Sequence, residues 1–128
     1  MAELKYKRVL LKLSGEALAG GTKHGVDANT ISKICDRIKE LVNIGTEVAI
    51  VVGGGNFWRG RNSNDIERTT SDYMGMLATC MNGLALQDTL EAKGVPARLQ
   101  TSIEMTVVAE RYTKRNADQY ANIYGYIK

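Results

Sequence analysis

The sequence predicts an α/β fold with a mainly parallel sheet and helices on both faces, and three observations predict it. Strand-like segments alternate with helix-period segments, the strand-like segments are near-continuously apolar, and the first two of them run into glycine-containing loops. Strands of this kind pair in parallel through right-handed crossovers, so ligands are expected in the loops beyond their carboxyl ends.

Taken in order, Lys7 to Leu13 leads into Val9-Leu10-Leu11 and Leu13, the composition of a strand buried on both faces, and Ser14-Gly15 ends it. Asp27 offers an N-cap to a helix in which Ile31, Ile34, Cys35, Ile38, Leu41 and Val42 recur at helical spacing, and Gly45 stops it. Thr46 to Val52 is β-branched and apolar and runs into Gly53-Gly54-Gly55-Asn56, which neither a strand nor a helix continues easily. A longer helix opens at Ser71-Asp72-Tyr73, puts Met74, Leu77, Ala78, Met81, Leu84 and Ala85 on one face, and ends near Gly94-Val95-Pro96. Ala97 to Thr101 reads as a third strand and Met105 to about Gln119 as a third helix. Internal repeats and low-complexity segments are absent from the sequence.

A chain of 128 residues with 44% apolar residues is expected to form one soluble globular domain. Its longest apolar runs, such as Val48 to Val52, are far short of the roughly 20 residues a bilayer span needs, and Met1 to Arg8 has no signal-peptide core, so membrane and secreted classes are not expected. Cys35 and Cys80 lie far apart with a single His in the chain, which encodes neither a zinc site nor a disulfide framework; a reducing, cytoplasmic compartment is the expectation. The net charge of +3 resides in residues 111–128, where Arg111, Lys114, Arg115 and Lys128 face Asp118 alone. The same tail holds Tyr112, Tyr120, Tyr124 and Tyr126, so the composition divides the chain into residues 1–110 and an atypical basic, Tyr-rich tail over 111–128. The other 110 residues are neutral, and nucleic acid is not needed as a partner.

The residues suited to chemistry gather in the two expected ligand loops, Ser14 to Gly25 and Gly53 to Arg61. Lys12 would emerge at the carboxyl end of its strand, where it can neutralise a phosphate or simply snorkel from an edge strand. Gly53-Gly54-Gly55 lets backbone N–H groups approach an anion, because no Cβ intervenes and positive φ is available, and Arg59 and Arg61 follow. Three glycines also make a tight turn, yet a turn needs only one or two of them. Neither GxxxxGK[ST] nor GxGxxG occurs, which excludes the ordinary P-loop and the dinucleotide fingerprint. Asp72 in a first helical turn suits the helix dipole, with ligand hydroxyls as the alternative partner. Met74, Met76 and Met81 read as core packing, Cys35 and Cys80 as buried small apolar residues, and His24 as a solvated loop residue.

Three stretches taken together resemble the bacterial uridylate (UMP) kinases of the amino acid kinase superfamily. They are Tyr6 to Leu18, reading YKRVLLKLSGEAL and followed by Gly25-Val26-Asp27; Val52 to Gly60, reading VGGGNFWRG; and Arg68 with Asp72 to Thr79, reading DYMGMLAT. The resemblance covers residues 5–110 in order. It implies an amino acid kinase-like fold and transfer of the ATP γ-phosphoryl group to UMP with Mg²⁺, giving UDP in pyrimidine nucleotide and CTP biosynthesis. It assigns Lys12, Leu13, Ser14 and Gly15 to the γ-phosphate loop, with Lys12 stabilising the transferring group. Gly54 is assigned to the UMP phosphate, Gly55 and Arg59 to the phosphate side of ATP, and Asp72 to the uridine ribose, which overrides the helix-dipole reading of Asp72. Gly20, Gly21, Thr22, Lys23, His24 and Gly25 occupy the stretch linked in this family to allosteric activation by GTP. UTP inhibition and a homo-oligomer, generally a hexamer, are also implied; no resident metal site is.

Phosphoryl transfer needs alignment and charge neutralisation more than covalent chemistry, in agreement with a site of glycine backbone, Lys and Arg. The sequence departs from the family towards its end. The family's usual Pro after Ala109-Glu110 is Arg111, residues 116–128 match nothing in it, and its Gly-Thr-Gly-Asn-Pro and Thr-Thr-Asp segments do not occur. The expectation is an amino-terminal portion, truncated, frameshifted or deliberately shortened, that is not active alone. Other amino acid kinases acting on carbamate, glutamate or aspartate are the rivals within the enzyme class, and a non-catalytic nucleotide-binding or subunit-interaction fragment is the rival outside it.

Overall fold

A computed structural model describes residues 4–59, 65–119 and 123–125. Strand β1 (Arg8–Leu13) is followed by a short helix α1 (Gly15–Ala19), a 3-10 turn (Gly20–Thr22), α2 (Ala28–Asn43), β2 (Glu47–Val52), α3 (Arg68–Ala92), β3 (Leu99–Thr101), β4 (Glu110–Arg111), α4 (Lys114–Gln119) and β5 (Ile123–Gly125). The strands form one sheet in the order β1-β2-β5-β3-β4, and every pairing is parallel, as the apolar strand composition predicts. Arg61 and Gly60, and Tyr120, Tyr126 and Lys128 of the basic tail, lie outside the described residues.

Register places Val9, Leu11 and Leu13 opposite Val48, Ile50 and Val52, so these side chains share one face of the sheet. That face packs against Leu18 of α1, Ile31, Cys35 and Ile38 of α2, and Leu86 and Leu90 of α3. On the opposite face Leu10 is 60% exposed, so among the described residues β1 is covered on one side only rather than on both. Helix α2 begins as its sequence predicts. The Asp27 carboxylate accepts from the Thr30 amide at 3.0 Å and the Thr30 hydroxyl at 2.6 Å, and those bonds, hydroxyl first, hold its carboxyl below the usual carboxylate range. The chain leaves α2 through Gly45 at φ 97° and α3 through Gly94 at φ 83°, left-handed positions that favour glycine. Cys35 and Cys80 are both buried, as expected, and burial pushes the Cys35 thiol up to about 11.

Three elements differ from their sequence reading. Helix α3 starts at Arg68, earlier than Ser71, and buries Ala78, Thr79, Asn82, Gly83, Leu86 and Leu90, while Leu77 and Met81 are 49% and 52% exposed. Close approach explains the rotation: a Cβ on Gly83 would fall 2.5 Å from Leu99 Cδ1, so the helix meets the sheet through its small residues. Met105 to Gln119 is not one helix. Met105 O accepts from the amides of Val108 and Ala109 in a turn, Glu110–Arg111 then pairs with β3, and α4 starts only after Thr113, whose hydroxyl accepts from Asn116 N at 3.1 Å. Thr106-Val107-Val108 explains this, because consecutive β-branched residues lose χ1 freedom in a helix. Finally, the tail supplies β5, which sits between β2 and β3 at the middle of the sheet.

Candidate functional site

The carboxyl ends of β1 and β2 lie side by side, with Leu13 paired to Val52, and each strand runs directly into a glycine-containing segment. Ser14 caps α1, its hydroxyl accepting from Ala17 N at 3.2 Å, which turns the chain sharply at Gly15. Gly53 N donates to Leu13 O at 3.0 Å, and Gly54 O accepts from the amides of Phe57 and Trp58 at 3.0 and 3.1 Å. None of the three consecutive glycines has positive φ, contrary to the sequence-based rationale. Close packing is what requires Gly54 and Gly55, together with Gly15 across from them, whereas Gly53 has room for a Cβ. A Cβ on Gly15 would lie 2.5 Å from Gly55 N; one on Gly54 would lie 2.8 Å from Ala78 Cβ and 2.9 Å from Thr79 N; and one on Gly55 would meet the Glu16 carboxylate.

A buried amide pair locks this loop to α3. Asn56 and Asn82 are both fully buried and hydrogen-bond each other twice, Asn56 Nδ2 to Asn82 Oδ1 at 3.0 Å and Asn82 Nδ2 to Asn56 Oδ1 at 2.7 Å. Asn82 Nδ2 also donates to Gly53 O, and Asn56 Nδ2 to Gly25 O, each at 2.7 Å. Gly25 N returns a bond to Asn56 O at 3.0 Å, and His24 Nδ1 stands 3.1 Å from the same oxygen. Segment 20–25 is therefore fastened to the glycine loop. Its own shape comes from Gly20 at φ 58°, Lys23 at φ 65° and Gly25 at φ 67°, with the Thr22 hydroxyl bonding Ala19 O at 2.6 Å. Further along the loop, Trp58 Nε1 donates to Ser71 Oγ at 2.8 Å, tying its exit to the first turn of α3.

These elements enclose a cleft of about 480 Å³ lined by Lys12, Leu13, Ser14, Gly15, Glu16, Gly53, Gly54, Gly55 and Arg59, with Val51, Val52, Gly75 and Thr79 as its remaining walls. The residues that the family resemblance assigns to the phosphates, Lys12 to Gly15, Gly54, Gly55 and Arg59, all line it, while Arg61 lies outside the described residues. Lys12 stands on β1, an edge strand among the described ones, where it is exposed and contributes to the lining of the cleft. Asp72 does not line the cleft; it is exposed on α3, three and seven residues before Gly75 and Thr79 and so on their helix face. Because α3 begins at Arg68, Asp72 lies beyond the first turn, where the helix dipole has little hold on it. Three participants escape a reading by sequence: Glu16, ion-paired with Arg59, and the Asn56–Asn82 pair. A signal for Asn82 existed, a polar residue inside the stretch Cys80-Met81-Asn82-Gly83-Leu84 that the apolar pattern leaves unexplained.

A cleft of glycine backbone, a lysine and an arginine at the carboxyl ends of parallel strands has groups chemically able to neutralise an anion. The sequence pattern of the amino acid kinase family matches residues 7–126. The chain belongs to the amino acid kinase family. Its fold is shared with the UMP kinase of Bacillus anthracis, with a TM-score of 0.85 and 39% sequence identity over 94% of this chain and 52% of that one. The UMP kinase of Ureaplasma parvum matches with a TM-score of 0.83 and 28% identity over 94% of this chain and 54% of that one. The chain thus spans about half the length of these two amino acid kinase structures. The family match runs through β4 and β5, past the composition change at residue 111. No helix among the described residues is long and apolar enough to cross a membrane.

Proposed function

We propose that this chain is the phosphate-handling part of a nucleoside monophosphate kinase that transfers the γ-phosphoryl group of MgATP to UMP, giving UDP and ADP. The observation that carries the reading is the convergence of Lys12, Gly53 to Gly55 and Arg59 on one cleft at the ends of β1 and β2. A UMP phosphate oxygen attacks the γ-phosphorus, and the bond from that phosphorus to the bridging oxygen breaks to release ADP. Both partners are anionic, so the protein's task is to align them and offset charge as it moves to the leaving oxygen. Lys12 and the backbone from Leu13 to Gly15 serve the transferring group, Gly55 and Arg59 the donor phosphates, and Gly54 the UMP phosphate. Asp72, one turn from the cleft wall, accepts from the ribose hydroxyls.

Mg²⁺ enters with ATP in this reading. Among the described residues Glu16 is the one carboxylate lining the cleft, which suits an ion carried mainly by substrate phosphates and water. Segment 20–25 is assigned to regulation by GTP, and its bonds to Asn56 support that assignment by giving it a direct connection to the glycine loop. UTP inhibition, a homo-oligomer and a place in pyrimidine nucleotide synthesis belong to the same proposal. Kinases of carbamate, glutamate or aspartate and a purely non-catalytic module are not favoured, since both structural relatives named above are UMP kinases.

Calorimetry with UMP and MgATP offered separately tests the reading. UMP is expected to bind, and Asp72→Ala to weaken UMP more than dUMP, because the variant loses an acceptor that the 2′-hydroxyl uses. Absence of UMP binding, or equal losses for both nucleotides, removes UMP or Asp72 respectively from the proposal. The 128-residue chain with ATP, Mg²⁺ and UMP is expected to give no sustained UDP formation at about 1 to 10³ per second, since both nucleotides must be held at once. In a fusion that continues after residue 110 with the rest of a UMP kinase, Lys12→Met is expected to lower kcat by about 10² while UMP affinity holds. Wild-type turnover in that variant would leave Lys12 a snorkelling strand residue.

A further inference from the structure

The Glu16 carboxylate stands where an anion is expected. It follows Gly15 in the first turn of α1, forms an ion pair with Arg59, and covers the face of Gly55 that a Cβ would otherwise fill. Its Oε1, the atom paired with Arg59, is shielded from solvent, although the Glu16 and Arg59 side chains as wholes are 40% and 39% exposed. Among the described residues Glu16 is also the single carboxylate that lines the cleft. A cationic cleft attracts the nearest negative group, and here that group is tethered to the cleft wall.

We infer that Glu16 is an internal competitor for the phosphate subsite: its carboxylate holds Arg59 and covers Gly55 until an incoming phosphate group takes both over. The inference rests on the phosphate-binding reading given above and adds a device that weakens that site on purpose. Three consequences follow from the geometry. Arg59 cannot direct its guanidinium fork at a phosphate and at Glu16 together without bringing two anions into contact, which repel. Displacement of Glu16 also uncovers Gly55, so one side-chain movement opens both the arginine and the glycine surface. And because Glu16 sits on α1 between Ser14 and the segment beginning at Gly20, its release acts on the same short element that leads into residues 20–25.

The test titrates sodium tripolyphosphate, an anion without nucleoside, into the purified 128-residue chain by calorimetry. Glu16→Gln removes the competing charge and is expected to bind about tenfold more tightly than the wild type. Arg59→Gln is expected to bind more weakly than the wild type. In the double variant the gain from Glu16→Gln should vanish, because the competition passes through Arg59; a gain of equal size there would indicate general charge removal and overturn the inference. Glu16→Asp keeps the negative charge in the first turn of α1 but shortens the reach to Arg59, so it is expected to gain affinity as well, and it carries the test should the glutamine variant fold poorly. Wild-type binding with equal or weaker binding in Glu16→Gln overturns the competitor role while leaving the phosphate site standing. No binding by wild type or by either Glu16 variant overturns the phosphate reading and the inference with it.

Discussion

Asn82→Leu is expected to lower the stability of the chain by about 3 to 5 kcal/mol, a large part of what a domain of this size possesses. The substitution leaves the Gly53 carbonyl and Asn56 Oδ1 without the donor that now reaches both at 2.7 Å, and it removes the acceptor that Asn56 Nδ2 meets at 3.0 Å. Both residues are fully buried, so water cannot replace those partners without opening the structure. A buried polar group left unpaired costs roughly 1 to 3 kcal/mol, and two orphaned acceptors set the lower part of the expected range. Urea denaturation followed by circular dichroism reads the effect as a lower midpoint at unchanged slope. A midpoint equal to that of the wild type would mean that the amide pair is dispensable and that the glycine loop is held by its backbone bonds alone. Because Asn56 also bonds Gly25, the same variant is expected to loosen residues 20–25, visible as faster amide exchange there.

The elements legible in the sequence are those whose signal is local. Helix α2 carries a capping aspartate, a complete apolar stripe and a terminal glycine, and it runs as that pattern dictates. Strands β1 and β2 are continuous apolar segments closed by glycine, and the cleft lies beyond their ends as parallel topology requires. That the glycine loop and Arg59 would line this cleft was legible because they directly follow the carboxyl end of β2. What a linear reading misses is set by distant partners. The face of α3 is chosen by the close approach of Gly83 to Leu99 and of Ala78 to Gly54, which side-chain hydrophobicity does not report, so Leu77 and Met81 read as core and lie at the surface. Strand β5 is three residues long, too short to show a period, and its place between β2 and β3 depends on two neighbours far away in the chain. Asn56 and Asn82 are separated by 26 positions, and nothing in either neighbourhood announces the other.

Gly54→Val is expected to destabilise the fold rather than to obstruct a ligand in an intact one. From the sequence, a side chain at residue 54 would project into the anion site and leave the sheet untouched. The structure directs it elsewhere: a Cβ there meets Ala78 Cβ at 2.8 Å, Thr79 N at 2.9 Å and the Gly75 carbonyl oxygen at 3.0 Å, and two of those atoms are helix backbone that cannot rotate away. Even Gly54→Ala therefore forces β2 and α3 apart, at a cost of about 1 to 3 kcal/mol for one added methyl group, and valine is expected to exceed it. Gly53 provides the contrast, since a Cβ at that position finds Gly15 N at an ordinary 3.5 Å and the residue needs no positive φ. Gly53→Ala is accordingly expected to melt close to the wild type, and any change it causes in tripolyphosphate or UMP binding reports on the cleft itself. Thermal denaturation of the three variants side by side decides the matter. If Gly54→Val melts with the wild type and loses only ligand affinity, the loop does not rest on α3 as described and the steric reading of the triglycine reverts to the ligand. If instead Gly54→Ala and Gly54→Val fall progressively while Gly53→Ala holds, the middle glycine is required by the helix behind the loop, and the anion in front of it benefits from a surface that packing has already cleared.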